Sequence, residues 1–196
     1  MLAVFGKCPA RRDFIARHVP NPLLEQLEPW LQQSMAQSKE TLGKAWLDAY
    51  LNAPIWRFWC AHTVVGVGLA GAVMPSVDKM GRYFPLMAFW MAPPGGDHAL
   101  PSQEDDGLYE ALEGVLLSAL SQEAALDTLI DGLASLKVGP LPAAPAGEEA
   151  RSGSLWWTFA APGTLAQRAA WPALPPPHAF AGMLQPSAPA TTATDP

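Results

Sequence analysis

Ser76, Asp78, Lys79, Arg82 and Tyr83 fall within eight positions of a 196-residue chain, between two apolar runs. A hydroxyl, a carboxylate and two cations at that density suit a hydrolytic site, a recognition loop or a charged turn. With His62 upstream, Ser76 and Asp78 supply the residue types of a nucleophile, base and orienting acid. No nucleophile-elbow sequence surrounds Ser76, which follows Pro75 and precedes Val77. The other histidines are His18, His98 and His178, and only His62 falls in a clearly patterned run. The simpler expectation is that Ser76 and Asp78 hydrogen-bond the loop's own backbone. A serine hydrolase built on Ser76, His62 and Asp78 stands as the rival function.

Two further patterns suggest chemistry. Gly66, Gly68 and Gly71 spell G-x-G-x-x-G. A dinucleotide fingerprint needs a helix opening at the third glycine, because its N-terminus holds the pyrophosphate. Here Ala72, Val73 and Met74 lead straight to Pro75, so the glycines are expected to serve a turn and close strand packing. Cys60 and His62, two apart on an expected strand, share a face. Cys8 and His18 would be needed to make a four-ligand set with them. No C-x-x-C or H-x-x-x-H pair occurs, so a buried thiol and a hydrogen-bonded histidine are expected rather than zinc. No cofactor is expected.

Charge gathers in two loops, at Arg11, Arg12 and Asp13 and at Asp78, Lys79 and Arg82. Both flank very apolar strands, so an arginine there is expected to pair with an aspartate and fix loop geometry. Asp78 and Arg82 are expected to set the 75–82 loop, with Asp13 and Arg57 as neighbours. Arg57 stands alone among Trp56, Phe58 and Trp59, which points to pairing or stacking on an aromatic ring.

The elements that would carry these residues follow from pattern. Leu2 to Phe5 reads as a strand and Gly6 to Pro20 as a charged loop. A helix opens with Asn21 as N-cap and Pro22 in its first turn, and Leu24, Leu27, Leu31 and Met35 share one face. Pro29 predicts a kink or restart. A second helix over 44–51 carries Trp46, Leu47, Tyr50 and Leu51 and must end before Pro54. The runs from Ile55, Leu69 and Arg82 read as three strands of an antiparallel meander. After a linker over 93–107, with Asp106 as cap, come helices holding Leu112 and Leu116 and then Leu129 and Leu133. Ser154 to Ala160 is a late strand and 179–184 a last short helix. The expected fold is α+β: a central, mostly antiparallel sheet of about five strands flanked by helices. Residues 1–184 are expected to form one domain, and the Pro/Ala/Thr-rich 185–196 a disordered tail.

Hydrophobic residues make up 49% and charged residues 15%, so most of the chain is expected to fold around a full core. The net charge is −6, with no basic run longer than Arg11-Arg12, which argues against nucleic acid or anionic membrane as a partner. Phe58 to Val77 is twenty residues without a formal charge, long enough to span a bilayer. Its glycines, His62 and Pro75 favour a buried hairpin instead. The N-terminus places its apolar residues before Lys7, Arg11 and Arg12, the reverse of a secretory signal, so an unexported protein with reduced Cys8 and Cys60 is expected.

Four segments occurring in order resemble one known family: GKCPARRDF from Gly6, WLQQSMAQSKETLGKAWLDAYLNAPIWRFW from Trp30, GAVMPSVDKMGRYFPL from Gly71 and SLWW from Ser154. They resemble TagF, also called ImpM, an accessory family of bacterial type VI secretion systems. MPSVD…GRYFP is the most specific part, followed by Ala53-Pro54-Ile55-Trp56-Arg57-Phe58. Arg12 departs from the family's glycine, and Glu28-Pro29 from its Trp-Asp pair. The resemblance implies a cytoplasmic, non-enzymatic protein. It would act after translation, as a repressor, by engaging a forkhead-associated scaffold protein. On it, Asp13, Phe14, Trp46, Arg57, Pro75, Ser76, Asp78, Arg82, Tyr83, Trp156 and Trp157 are the signature or partner-binding candidates. A structural subunit of the apparatus is a further alternative. A homodimer through Trp30 or Trp46 competes with ordinary core packing of those rings.

Overall fold

A computed structural model describes residues 2–93, 100–120, 126–136, 152–160 and 164–186. The strands are β1 (Leu2–Gly6), β2 (Ile15–Arg17), β3 (Trp56–Cys60), β4 (Leu69–Met74), β5 (Leu86–Met91), β6 (Ser154–Trp157) and β7 (Arg168–Trp171). They form one seven-stranded sheet in the order β2-β1-β5-β4-β3-β6-β7, and every neighbouring pair is antiparallel. The α+β expectation holds, but the sheet has seven strands rather than about five. The two extra strands are its edges, β2 inside the expected charged loop and β7 beyond the late strand.

The helices are α1 (Asn21–Leu42), α2 (Trp46–Leu51), α3 (His62–Val65), α4 (Asp106–Ser118), α5 (Leu126–Ser135) and α6 (Phe180–Met183). They cover both faces of the sheet. Ala3, Phe5, Phe58, Cys60, Val73, Phe89 and Trp156 pack with α1, α2 and α6. Val4, Trp59, Ala70, Ala72, Ala88, Trp90 and Trp157 pack with α4 and α5. Alternate residues of each central strand enter opposite cores, which is why β3, β4 and β5 read as continuous apolar runs.

Several local expectations are corrected. α1 runs unbroken through Pro29, because its buried face (Leu23, Leu27, Trp30, Leu31 and Met35) outweighs the missing backbone bond. Leu24 is only half-buried. Pro20, not Asn21, sits at the cap position, and its carbonyl accepts from Leu23 and Leu24 at 3.0 Å. Asp105 rather than Asp106 stands before α4, and its carboxylate accepts from the Ser102 amide at 2.7 Å. After β3 the chain makes one helical turn, α3, before Gly66 at φ 82 returns it to β4. The third glycine of G-x-G-x-x-G lies inside β4, where a Cβ would stand 2.2 Å from the Ala88 carbonyl oxygen, so it serves strand contact. No helix among the described residues is long and apolar enough to cross a membrane. The expected tail lies outside the described residues apart from Gln185 and Pro186.

Candidate functional site

The polar loop between β4 and β5 is organised around one carboxylate. Asp78 is buried, 3% exposed, and its Oδ1 accepts from the Met80 and Arg82 amides, both at 2.9 Å. Its Oδ2 accepts from Lys7 Nζ at 2.9 Å and Arg82 Nε at 2.7 Å. Gly81, at φ 77, closes the turn with its amide on the Asp78 carbonyl at 2.9 Å. A Val77–Tyr83 bridge finishes the hairpin. Burial alone would raise the Asp78 pKa. The hydrogen bonds from Lys7, Arg82 and Met80 outweigh it and hold the carboxyl well below the usual carboxylate range.

These bonds also join the loop to the one following β1. Lys7 reaches across from that loop, the Lys79 amide donates to the Arg11 carbonyl at 2.8 Å, and the Arg82 guanidinium donates to the Arg12 carbonyl. Phe14 adds an apolar contact, its ring 4.8 Å edge-on to Phe84 with the Lys7 ammonium 5.1 Å from its centre. From the other side, buried Tyr50 donates to the Ser76 carbonyl at 2.9 Å and accepts from the Ser76 amide at 3.0 Å. Burial raises the Tyr50 phenol well above its ordinary pKa, so it stays a neutral donor. Trp46 stacks on Tyr50 at 4.9 Å and meets Tyr83 at 5.8 Å. The outcome is a doubly anchored turn that leaves Met80 59% and Phe14 43% exposed.

Arg57 is not part of this turn. Its side chain is buried on the opposite, α4-covered face of the sheet. Nε and Nη2 grip both oxygens of Glu113 at 2.6 and 3.0 Å, and Nη1 reaches Asp106 at 3.0 Å. Phe159 and Tyr109 stack over the guanidinium at 4.4 and 5.5 Å. The expected pairing and stacking of Arg57 are present, but its place beside Asp78 is corrected. Asp106 and Glu113, two helical turns apart on α4, take the carboxylate role. Asp13 is exposed and forms no ion pair with Arg82.

The hydrolase set does not assemble. Ser76 follows the end of β4 that pairs with Trp56, whereas His62 follows the end of β3 that pairs with Leu69. From Leu69 to Met74 the strand makes five steps of roughly 3.3 Å, about 17 Å between those ends. Asp78 is already saturated by four donors, and Ser76 Oγ is buried without a hydrogen-bond partner. Its backbone groups, not its hydroxyl, bond Tyr50, so the expectation of a side-chain bond is corrected at Ser76 and holds at Asp78. His62 is exposed in α3 while Cys60 is buried in β3, so they share no strand face. Among the described residues no group of three or more His, Cys, Asp or Glu could hold a metal; His98 lies outside them.

The remaining tryptophan candidates are core residues. Trp156 lies fully buried, stacked on Phe58 at 4.8 Å and tilted 5.7 Å from Trp30. Trp157 meets Tyr109 at 5.0 Å in the other core. Pro75 is half-buried at the start of the anchored turn. Trp30 donates to the Pro175 carbonyl at 2.7 Å and Trp46 to Ser38 Oγ at 2.9 Å. Both rings are buried and bonded within the chain, the core packing that the sequence favoured for them.

Sequence reasoning missed Lys7, Tyr50, Glu113 and a basic cleft. Asp106 and Glu113 were legible as same-face carboxylates on a recognised helix. Lys7 stood out only as a charge at the end of a buried strand. The cleft, about 450 Å³, is lined by Ala10–Ile15, Arg17 and Lys79. It brings together cations from two loops that are far apart in sequence.

The family model described as the TagF N-terminal domain, type VI secretion system-associated, matches residues 3–136, which include both loops and α4. The crystal structure of PA0076 from Pseudomonas aeruginosa PAO1 is similar at a TM-score of 0.78, with 33% identity over 94% of each chain. No curated protein matches the chain.

Proposed function

Because the chain belongs to the TagF family and so to the accessory proteins of type VI secretion, we propose that it is a cytoplasmic binding module that restrains secretion after translation. Its partner is a forkhead-associated scaffold protein, and its docking face is the pair of loops joined at Asp78. One observation carries the choice of face. Asp78, held by Lys7 and Arg82, fixes both loops while Phe14, Met80 and the Arg82 side chain remain at the surface. A recognition surface needs such a fixed backbone under exposed apolar and cationic groups, because ordering a mobile loop on binding would subtract from affinity.

The test is made in the native bacterium. Deleting the gene is expected to raise export of the system's own substrates, and overproducing the protein to lower it. Met80→Asp, a change at an exposed position, is expected to lose that repression while the protein accumulates to the normal level. Export indifferent to deletion and overproduction contradicts the proposal.

A further inference from the structure

We propose that the cleft between the two joined loops binds an acidic peptide segment of the protein partner, an inference that rests on the docking face assigned above. Arg11, Arg12, Arg17 and Lys79 line it with a single acid, Asp13. All five side chains are exposed, and none of the four cations forms an ion pair among the described residues. Among the described residues the two buried cations are used differently: Lys7 and Arg57 are each matched to carboxylates.

Placing four like charges around one cleft is unfavourable for folding, and a bound anion relieves it. The backbone that carries these cations is nevertheless fixed. The Lys79 amide is bonded to the Arg11 carbonyl, the Arg11 amide to the Cys8 carbonyl, and Arg82 to the Arg12 carbonyl. Exposed Phe14 is also part of the lining, so an apolar side chain between acidic ones has a surface to meet. Ile15 and Arg17 belong to β2, the terminal strand of the sheet, which suits an extended ligand.

Charge decides the kind of anion. The whole chain carries −6 even with these four cations included. A long polyanion or an anionic bilayer would extend well beyond the cleft and meet a chain of net negative charge. A short peptide would meet only the cleft, since screening confines the rest to about a Debye length of 8–10 Å.

Fluorescence anisotropy with a labelled peptide of repeated Glu-Asp-Leu tests the assignment on the full chain at low salt. The expected result is saturable binding that weakens about tenfold in Arg11→Glu/Arg12→Glu. Arg11→Gln/Arg12→Gln is expected to bind weakly too, yet to melt no lower than the unaltered protein, since these side chains serve a ligand rather than the fold. Absent peptide binding, or binding unchanged in the reversal variant, overturns the proposal. So does tighter binding of duplex DNA or phosphatidylserine vesicles through the same residues. Purified scaffold separates this proposal from the one it rests on. Equal scaffold binding by both forms overturns the acidic-segment assignment and leaves the scaffold interaction standing. Scaffold binding by neither form, with peptide binding lost on reversal, contradicts the scaffold interaction and supports the cleft.

Discussion

Asp78 and Arg57 are two buried ionic centres built to opposite plans, and each has a distinct consequence. Asp78 is a lone carboxylate among donors, and Asp78→Asn leaves Lys7 with no anion. We expect it to lower stability by about 3 kcal/mol at neutral pH, read as the urea midpoint. The Asp78 carboxyl lies below its ordinary value of 3.8. Its stabilisation is therefore complete above that value and is lost as pH falls through the lower, folded-state value. The stability gap between the unaltered protein and Asp78→Asn is expected to narrow steadily below about pH 4; a gap that does not change down to full unfolding contradicts the assigned role. Arg57 instead depends on shape, through its two-toothed grip on Glu113 and its stacking beneath Phe159. Lysine keeps the charge and loses both, so Arg57→Lys is expected to cost about 2–3 kcal/mol by chemical denaturation. A variant as stable as the parent would show that charge alone suffices there.

Elements hold these centres in register. The segment after β7 folds back along α1, where Pro175 and Met183 carbonyls accept from Trp30 and Trp56, and Phe180, Met183 and Leu184 enter the core. Removing residues 172–196 uncovers those rings. The expected result is a red-shifted tryptophan emission and a loss of about 5 kcal/mol, from three buried side chains at roughly 1.5–3 kcal/mol each. Gly71→Ala is expected to cost about 3 kcal/mol, because the new methyl meets the backbone of β5 and the strands must separate; an unchanged urea midpoint would contradict that close approach. The central strands and long helices were legible because each buries a repeating apolar face. The edge strands were not. Ile15-Ala16-Arg17 buries one side chain, and Arg168-Ala169-Ala170-Trp171 has weak strand formers held by pairing with β6. His62 to Val65 reads as strand by composition, but the glycines after it allow a single helical turn.

At the scale of the whole molecule, the antiparallel sheet has helices on both faces and brings three distant segments to one end of β4 and β5. The loop after β1, the hairpin at Asp78 and the aromatic side of α2 meet there. The Asp78–Arg82 half of this site could be read from four-residue spacing and turn chemistry. Lys7 and the four-cation cleft could not, because tertiary pairing of β1 with β5 creates them, and Tyr50 could not, because it meets Ser76 only through the packing of α2. The most direct measurement of the central claim is isothermal titration of the purified forkhead-associated scaffold into the full chain and into Met80→Asp. We predict saturable heat with the unaltered protein, and affinity reduced at least tenfold, about 1.4 kcal/mol, in a variant of unchanged melting temperature. No binding by the unaltered protein, or equal binding by both, would contradict the assignment of these loops as the docking face.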